Sequence, residues 1–562
     1  MRYGQTAKEK VNAERNGKKV YWILVTDIRL PLSERSETAT EFAQKRVISL
    51  LGRQNVLGAE VHRRSIDARR RGNITSVWSV AVEVSSLPEK EVLQKEGMRV
   101  IAEPCVNVRY GSEKLSARPV VVGFGPAGMF AALLLAENGY RPIVLERGDD
   151  TEERIKTVER FYTEGRLDTE SNIQFGAGGA GTFSDGKLVT RINDERCRYV
   201  LKRFTDFGAP KDIMTKAKPH VGTDKLTGAV SGIRDEIIRL GGEIRFRLAF
   251  KGIVSDACGN ITAVKTSCGE IPAGAVILAT GHSARDVYSY LKMTNFSVEE
   301  KALSVGVRIE HLRKNVENAL FGQELMKAAE KDKNLRDLLG HAEYQYSYRE
   351  NDRGVYTFCM CPGGEVVAGA SEEGGVVVNG MSRYARDGRN SNCAVCVSVT
   401  PADCAAFGGT MEFCRAIERK AYVLGGGNYS APIMTVGDYL SESKALREPS
   451  SVMPTYMGGK NVKVARLDTL FPDFVNGMLK KGIRRFGKSM KGFDAPNALL
   501  TGAETRTGSP YRITRLENGT VAGYGNFYPC GEGAGYAGGI TSAAVDGISR
   551  AQILMERYAP ID

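Results

Sequence analysis

At 562 residues the chain is long enough for about three domains, each with its own hydrophobic core. Its 42% hydrophobic and 26% charged residues are typical of globular proteins, which excludes disorder over most of the chain. The net charge of +12 allows an anionic partner, but the basic residues are spread along the chain and favour a solvated basic surface.

The cysteines and the N-terminal residues bear on the cellular compartment. The 11 cysteines are an odd number and are mostly scattered, which fits reduced thiols in a cytosol. Residues 1–19 lack the apolar core of a signal peptide, and no run of about 18 apolar residues occurs. We therefore predict a soluble cytoplasmic protein without a membrane partner.

The first predicted unit is a small α+β module over residues 1–112, ferredoxin-like in its order of elements. A strand, VYWILVTDIRL, is followed by a helix over 37–51 and by strands over 60–66 and 74–84. A short helix near Lys90 and the strand MRVIAE complete the module. The residues of this module do not indicate what it binds.

The next segment, residues 119–148, predicts a strand, a glycine turn, a helix and a second strand. Gly123, Gly125 and Gly128 form GxGxxG, which allows a tight turn, a close approach to a pyrophosphate and close helix–strand packing. Glu146 ends the second strand, where a carboxylate can accept hydrogen bonds from ribose hydroxyls. These features together predict a dinucleotide site and disfavour a coincidental glycine turn.

Two further glycine-rich segments favour FAD over NAD, because an extended FAD is also held at its ribityl and flavin ends. In residues 175–188, small side chains let backbone amides reach phosphate or flavin atoms, and Lys187 could neutralise charge. A flexible surface loop is the alternative for this segment. In residues 528–540, Glu532 could hold ribityl hydroxyls, and the helix that follows could direct its dipole at the flavin.

Between these segments, residues 241–281 predict an antiparallel meander that ends in a buried strand and Ala279-Thr280-Gly281. The predicted fold class is α/β: a Rossmann-type FAD-binding domain with an inserted α+β substrate domain and the N-terminal α+β (ferredoxin-like) module. The predicted boundaries are 1–112 for the N-terminal module, 113–190, 240–285 and 515–562 for the FAD-binding domain, and 191–239 and 286–514 for the substrate domain.

Long strings of residues carry a resemblance to a known family. They are NIQFGAGGAGTFSDGKL, ILATGHSARD, TFCMCPGGEVV, LGGGNYSAP, GAETRTGSP and YPCGEGAGYAGGI. With these strings the chain resembles the uncharacterised bacterial FAD-dependent dehydrogenases within the glutathione reductase-like flavoprotein superfamily. The resemblance implies non-covalent FAD and redox chemistry. It implies FAD contacts from Gly123, Gly125, Pro126, Ala127, Gly128, Glu146, Arg147, Gly178, Gly179, Ala180, Gly181, Thr182, Phe183, Ser184, Gly186, Lys187, Ile253, Thr280, Gly281, Gly531, Glu532, Gly539 and Ile540.

The electron donor is not identified by a second dinucleotide motif. The glycines in residues 424–428 follow a helical stretch, so a glycine at a helix end is favoured, and NAD(P)H would be a transient visitor. Cys393 and Cys396 lie in apolar surroundings and are predicted to be inert. Cys359 and Cys361 alternate on a predicted strand and would face opposite sides, which argues against a disulfide between them. The five scattered histidines predict no metal site.

Candidate substrate and catalytic residues are fewer. Glu504, Arg506 and Arg512 could clamp a carboxylate or phosphate, and Arg506 has a structural salt bridge as its alternative. His220 and His282 are the candidate proton carriers, since histidine titrates near neutrality. A surface loop and a backbone hydrogen bond are their respective alternatives.

Together these features predict an FAD-dependent oxidoreductase that transfers a hydride between flavin and a small, anionic substrate. One alternative is an RNA-associated FAD protein resembling tRNA-modifying flavoenzymes, with nucleic acid bound by a basic cluster: Arg63, Arg64, Arg69, Arg70 and Arg71. A second alternative is a non-catalytic FAD-binding redox sensor or docking protein. The sequence leaves the substrate and the oligomeric state open.

Overall fold

A computed structural model describes residues 13–15, 18–69, 73–102, 104–294 and 296–561. Arg70 and Arg71 of the basic cluster lie outside the described residues. Among the described residues, none of the helices combines the length and the apolar character that crossing a bilayer requires.

The N-terminal elements form an antiparallel sheet with a helix packed on it. They are β1 (Ala13–Arg15), β2 (Lys18–Pro31), α1 (Ser36–Leu51), β3 (Val56–Asp67), β4 (Thr75–Val84), α2 (Lys90–Lys95) and β5 (Met98–Ile101). The strand order is β1-β2-β4-β3, and β5 also pairs with β2. From β2 to β5 the order of elements is βαββαβ. The predicted helix over 37–51 is confirmed as α1, whose Ala39, Ala43 and Val47 pack on the sheet.

The next group of elements surrounds the first glycine turn. It contains β6 (Val120–Val122), α3 (Pro126–Glu137), β7 (Ile143–Leu145), α4 (Thr151–Glu164), α5 (Arg196–Asp206), α6 (Thr223–Arg239), β8 (Glu243–Arg245), β9 (Phe250–Ser255), β10 (Ile261–Thr266), β11 (Gly269–Pro272), β12 (Val276–Leu278) and α7 (Arg285–Met293).

The following group builds a second sheet and the helices around it. It contains β13 (Val298–Glu300), β14 (Leu303–Leu312), α8 (Arg313–Phe321), α9 (Gln323–Lys331), α10 (Lys333–Leu339), β15 (Ser347–Glu350), β16 (Arg353–Cys361), β17 (Glu365–Ala368), β18 (Val378–Met381), β19 (Asn390–Val399), α11 (Pro401–Cys404), α12 (Thr410–Gly425), β20 (Ala431–Thr435), α13 (Val436–Ser441), β21 (Val462–Val464), α14 (Asp473–Ser489) and β22 (Leu499–Glu504). The chain ends with β23 (Tyr511–Ile513), β24 (Phe527–Pro529) and α15 (Ile540–Arg557).

A parallel sheet of order β24-β12-β6-β7-β8 is the centre of the first unit. Alternate residues of a strand point to opposite faces, so Val121 packs with α3 and α15 on one side. Val120 and Val122 pack on the other side with the meander β11-β10-β9. Both faces are covered, which explains why these strands are apolar throughout.

The segment 191–239 packs differently from its predicted assignment to the substrate domain. Val200 and Phe204 of α5 and Ile233 of α6 share one core with α3 and α15. Their apolar faces therefore cover the parallel sheet, and we place this segment with it. The other predicted domain boundaries stay predictions.

The second sheet has the order β15-β16-β19-β14-β22-β20-β21. Strands β14 and β19 lie at its centre and are buried along almost their whole length. The helical stretch predicted before residues 424–428 is confirmed as α12. Gly426 caps α12 with a φ of +111°, so the glycine run is a helix end, as favoured from the sequence.

Candidate functional site

A cavity of about 1450 Å³ lies between the carboxyl ends of the parallel strands and the seven-stranded sheet. The turns after β6, β7, β12 and β24 all reach it, as ligand sites in parallel sheets generally require. Residues 343–347 and 356–360 form the opposite wall. The volume exceeds the ~300–1,000 Å³ of pockets for drug-sized ligands and suits a dinucleotide beside a substrate.

The first glycine turn has the geometry that a phosphate loop needs. Gly123 has a φ of +102°, and a Cβ there would run into the carbonyl oxygen of Ala279. A Cβ on Gly128 would run into the carbonyl oxygen of Gly123, so this glycine permits the close helix–strand contact. Helix α3 begins at Pro126 and receives no side-chain cap, which leaves its first N–H groups for an anion.

A second glycine loop, residues 176–181, packs directly on the first. The Gly178 N–H donates to the Phe124 carbonyl at 2.8 Å, and a Cβ on Gly179 would lie 2.9 Å from the Gly125 Cα. The fully buried Arg154 of α4 holds this loop by donating to the carbonyls of Ala177 at 2.7 Å and Gly179 at 2.9 Å. Arg154 was missed at the sequence level because its partners are backbone atoms distant in the chain.

Glu146 organises both loops. One carboxylate oxygen accepts the Phe124 N–H at 2.8 Å, and the other accepts the N–H groups of Gly148 at 3.0 Å and Gly176 at 2.9 Å. A carboxylate offers about four lone-pair sites, so it retains capacity for a ligand hydroxyl. The predicted role at a ribose is compatible with this geometry.

The loop after β24 brings an acid to the cavity. Asp546 of α15 accepts the Gly531 N–H at 2.7 Å and fixes the loop. Within the described part of the chain, the neighbouring Glu532 carboxyl lines the cavity and receives no protein hydrogen bond. Burial raises the pKa of Glu532 to about 7, against the opposing effect of Lys301. Helix α15 begins at Ile540 with no side-chain cap, so its first N–H groups are also available there.

The raised pKa of Glu532 predicts a pH dependence of stability. Between its ordinary value of 4.5 and about 7, the folded state keeps a proton that the unfolded state has lost. The unfolding free energy of the flavin-free protein should therefore fall by up to about 1.4 kcal/mol per pH unit as the pH rises through this window. Urea titrations of the wild type and Glu532→Gln would measure the difference. Identical slopes in the two proteins would contradict the assignment.

The structure brings most of the expected FAD contacts to one cavity and leaves some outside. The residues at its wall are Gly123, Gly125, Pro126, Ala127, Glu146, Arg147, Gly179, Ala180, Gly181, Ser184, Lys187, Thr280, Gly281, Gly531, Glu532, Gly539 and Ile540. Those away from the wall are Gly128, Gly178, Thr182, Phe183, Gly186 and Ile253. Leu248 and Phe250 line the cavity instead of Ile253, whose backbone N–H donates to the Tyr290 hydroxyl at 3.0 Å.

The three residues expected to clamp an anion are separated. Glu504 is buried in an ion pair with Arg308 at 2.8 Å and does not line the cavity. Arg506 reaches the wall, but its guanidinium pairs with Glu418 at 3.1 Å, so the salt-bridge alternative describes it. Arg512 is exposed, and its guanidinium lies over the Tyr536 ring. We therefore assign no substrate clamp to these residues.

The two candidate histidines also differ in position. His282 lines the cavity, and its Nδ1 lies 2.8 Å from the Ser283 hydroxyl. Burial and then the nearby Arg506 lower the pKa of His282 to about 4, so its ring is neutral at pH 7. His220 is buried away from the cavity wall, with its Nε2 3.1 Å from the Tyr384 carbonyl and its ring stacked on Tyr384. Its surroundings are structural rather than catalytic.

The opposite wall contains residues that sequence reasoning missed. Lys301 lines the cavity and donates to the Gly535 carbonyl at 3.1 Å. Tyr346, Tyr356 and Phe358 add an aromatic surface. Tyr356 and Phe358 lie on β16, whereas Lys301 precedes β14 and Tyr346 precedes β15, so no local sequence motif combines them.

The cysteine pairs show one correct and one wrong prediction. Cys393 and Cys396 are fully buried on β19, and burial raises the pKa of Cys393 to about 12, as expected of inert thiols. Cys359 and Cys361 were predicted to face opposite sides of a strand. This was wrong, because residues i and i+2 of a strand point to the same face. The two sulfurs lie 3.9 Å apart at a bulge, where Cys359 has a φ of +48° and the β16–β19 register shifts between Phe358 and Cys361.

Comparison with known proteins places the chain. A protein of Clostridium beijerinckii, described as uncharacterized, is 44% identical over 525 residues, which cover 90% of this chain and 94% of the relative. The chain belongs to this protein's family. Residues 302–507 of this chain match the family model described as FAD-dependent protein, C-terminal domain-like. The matched region contains the seven-stranded sheet and with it the second wall of the cavity.

Solved structures align with this chain at low similarity. They include CtdE in complex with FAD (11% identity, 78% of this chain and 83% of that chain, TM-score 0.31), NikD, an unusual amino acid oxidase (13%, 79% and 95%, 0.32), and L-proline dehydrogenase from P. horikoshii (12%, 79% and 94%, 0.32). The family assignment rests on the relative from C. beijerinckii.

Proposed function

We propose that this protein binds FAD non-covalently in an extended conformation and is an oxidoreductase of the glutathione reductase-like superfamily. The observation that carries the proposal is the convergence of two touching glycine loops and two uncapped helix N-termini on one cavity. Such N-termini favour anions, so α3 would hold the pyrophosphate and α15 would face the flavin. The family model for FAD-dependent proteins supports the same cofactor.

The residues present fit FAD on structural grounds. A dinucleotide pyrophosphate needs backbone close to it, and glycines occupy the approach at positions 123, 125 and 179. Glu532 has a carboxyl group at the wall without a hydrogen-bond partner in the described residues, and the ribityl hydroxyls would supply donors to it. In this arrangement, Glu146 would hold the adenosine half of FAD and Glu532 the ribityl half.

The rest of the cavity is proposed to hold a small anionic substrate. A bound flavin supplies a two-electron acceptor for a hydride. Lys301 provides a cation at the wall, and the neutral His282 can exchange a proton with substrate through its ring. The aromatic side chains Tyr346 and Phe358 add apolar surface to the same space. NAD(P)H would enter this space as a transient electron donor.

The test is spectroscopic. Purified protein should show absorbance near 450 nm, and denaturation should release FAD that chromatography identifies. Anaerobic mixing with NADH or NADPH, and separately with small amino or hydroxy acids, would then show which donor bleaches the flavin. A colourless protein that cannot be reconstituted with FAD would refute the proposal.

A nucleic-acid role gains no support from the basic cluster. The Arg69 guanidinium pairs with Asp67 at 2.5 Å, and the contact of Arg64 with the Thr215 carbonyl, at 2.6 Å, is made by its backbone N–H. A bound flavin that no donor reduces would support the non-catalytic redox sensor or docking protein. Steep salt-dependent RNA binding would support the RNA-associated FAD protein.

A further inference from the structure

The Cys359–Cys361 pair stands at the cavity wall in a conformation that a regular strand would not provide. Residues i and i+2 of a strand point to the same face, and at this bulge the two sulfurs lie 3.9 Å apart. The backbone is held in place around them, because Lys187 donates to the Met360 carbonyl and Arg308 donates to the Cys359 carbonyl at 2.9 Å. A left-handed φ on a non-glycine residue is a strained feature that is often functional.

The two sulfurs differ in access and in charge environment. Cys359 lines the cavity and is partly exposed to it, whereas Cys361 is fully buried behind it. The adjacent Cys361 thiol, and then Lys187 and Arg308, hold the pKa of Cys359 well below its usual range. The pKa of Cys361 is raised. An accessible thiolate beside a protonated thiol is the arrangement that thiol–disulfide exchange uses.

The charged groups packed around the pair are balanced by partners. Lys187 pairs with Asp185 at 2.6 Å, and Asp185 also pairs with Arg386. Arg308 pairs with Glu504. The cations therefore have carboxylate partners of their own and still lie close enough to favour a thiolate at Cys359.

We propose that Cys359 and Cys361 form a redox-active dithiol that reduces a disulfide substrate admitted to the cavity. The Cys359 thiolate attacks one sulfur of the substrate disulfide, the S–S bond breaks, and one substrate thiolate leaves. The Cys361 thiol gives its proton to a leaving thiolate and its sulfur attacks Cys359, which forms the intramolecular disulfide and releases the second substrate sulfur. The substrate gains two electrons, and the cysteine pair loses two.

The two thiols can form a disulfide with a small movement. A disulfide requires sulfurs at about 2.0 Å, so each thiol has to move only about 1 Å from its present position. Cys393 and Cys396 provide the internal contrast, since they are buried on β19 without cavity access. The inference stands independently of FAD binding.

The experiment uses the full-length protein as isolated, reduced, freed of reductant and exposed to oxidised glutathione. Samples are quenched in acid, alkylated under denaturing conditions and digested with trypsin. The peptide of residues 354–383 contains only these two cysteines. We expect it to lose both alkylation sites and the mass of two hydrogens, at least about tenfold faster than exposed Cys258 forms its glutathione adduct.

Variants separate the two sulfurs. Cys361→Ser should retain one glutathione on Cys359, whereas Cys359→Ser should leave Cys361 unmodified. The peptide of residues 390–415, which carries four buried cysteines, is the control that should stay fully alkylatable. If peptide 354–383 of the wild type keeps both free thiols while Cys258 reacts, the inference is refuted whatever the variants do. The 450 nm absorbance of the same samples reports separately on the FAD proposal.

Discussion

Alanine at position 179 is expected to weaken FAD binding by at least about 30-fold. Gly179 has a φ of +63°, and a Cβ there would lie 2.9 Å from the Gly125 Cα, which is backbone and cannot rotate away. Overpacking and a left-handed alanine each cost about 1–3 kcal/mol, and about 2 kcal/mol corresponds to 30-fold in affinity. The strain forces the two glycine loops apart where the pyrophosphate would lie. Titration of the flavin-free protein with FAD, followed by flavin fluorescence, measures the change.

The matched control is Gly228→Ala in α6. Gly228 is exposed on the helix, and a Cβ there meets nothing within 4 Å. Alanine is the better helix former, so this variant should bind FAD like the wild type and be slightly more stable. Circular dichroism and thermal unfolding verify that Gly179→Ala remains folded. Wild-type affinity in a folded Gly179→Ala protein would mean that FAD does not lie between the loops.

Methionine at position 308 is expected to destabilise the protein by about 3–5 kcal/mol, because it leaves a buried carboxylate without its partner. Arg308 is fully buried on β14 and pairs with Glu504 on β22 at 2.8 and 3.2 Å. It also donates to Asn392 and Asn379, both at 2.9 Å. Urea unfolding followed by circular dichroism measures the loss.

The double variant Arg308→Met with Glu504→Leu distinguishes the cause. Replacing both charges by apolar groups of similar size removes the unpaired carboxylate, so much of the lost stability should return. If the double variant is as unstable as Arg308→Met alone, the cost lies in packing and in the asparagine contacts rather than in an unpaired buried charge. In that event the ion pair would not be what Glu504 is needed for, and Glu504 would again be a candidate substrate-binding residue.

The part of the site that sequence reasoning predicted is the part made by backbone. At Gly123 and Gly179 the fold requires the absence of a side chain, and a glycine in the sequence indicates that requirement directly. Glu146 was found for a related reason, since the end of a strand after GxGxxG has a known place in the fold.

The errors came from features that depend on distant residues. Glu504 and Arg506 look like free charges in the sequence, but Arg308 and Glu418, which neutralise them, lie 196 and 88 residues away. The Cys359 and Cys361 prediction failed for a local reason, because it misapplied strand alternation, which puts residues i and i+2 on the same face. The bulge at this position is signalled by no residue type. Segment 191–239 was assigned to the substrate domain, whereas the apolar faces of its helices pack against α3 and α15.

The placement of β24 and α15 has a consequence for biosynthesis. Strand β24 pairs with β12, and α15 crosses α3 so closely that a Cβ on Gly547 would meet the Ala127 carbonyl. The seven-stranded sheet, in contrast, is complete once residue 504 has left the ribosome. At about 5–20 residues per second, the phosphate loop therefore waits through the synthesis of most of the chain before its final neighbours arrive. FAD capture would be one of the last events of maturation, and the nascent chain has to shield an apolar α3 until then.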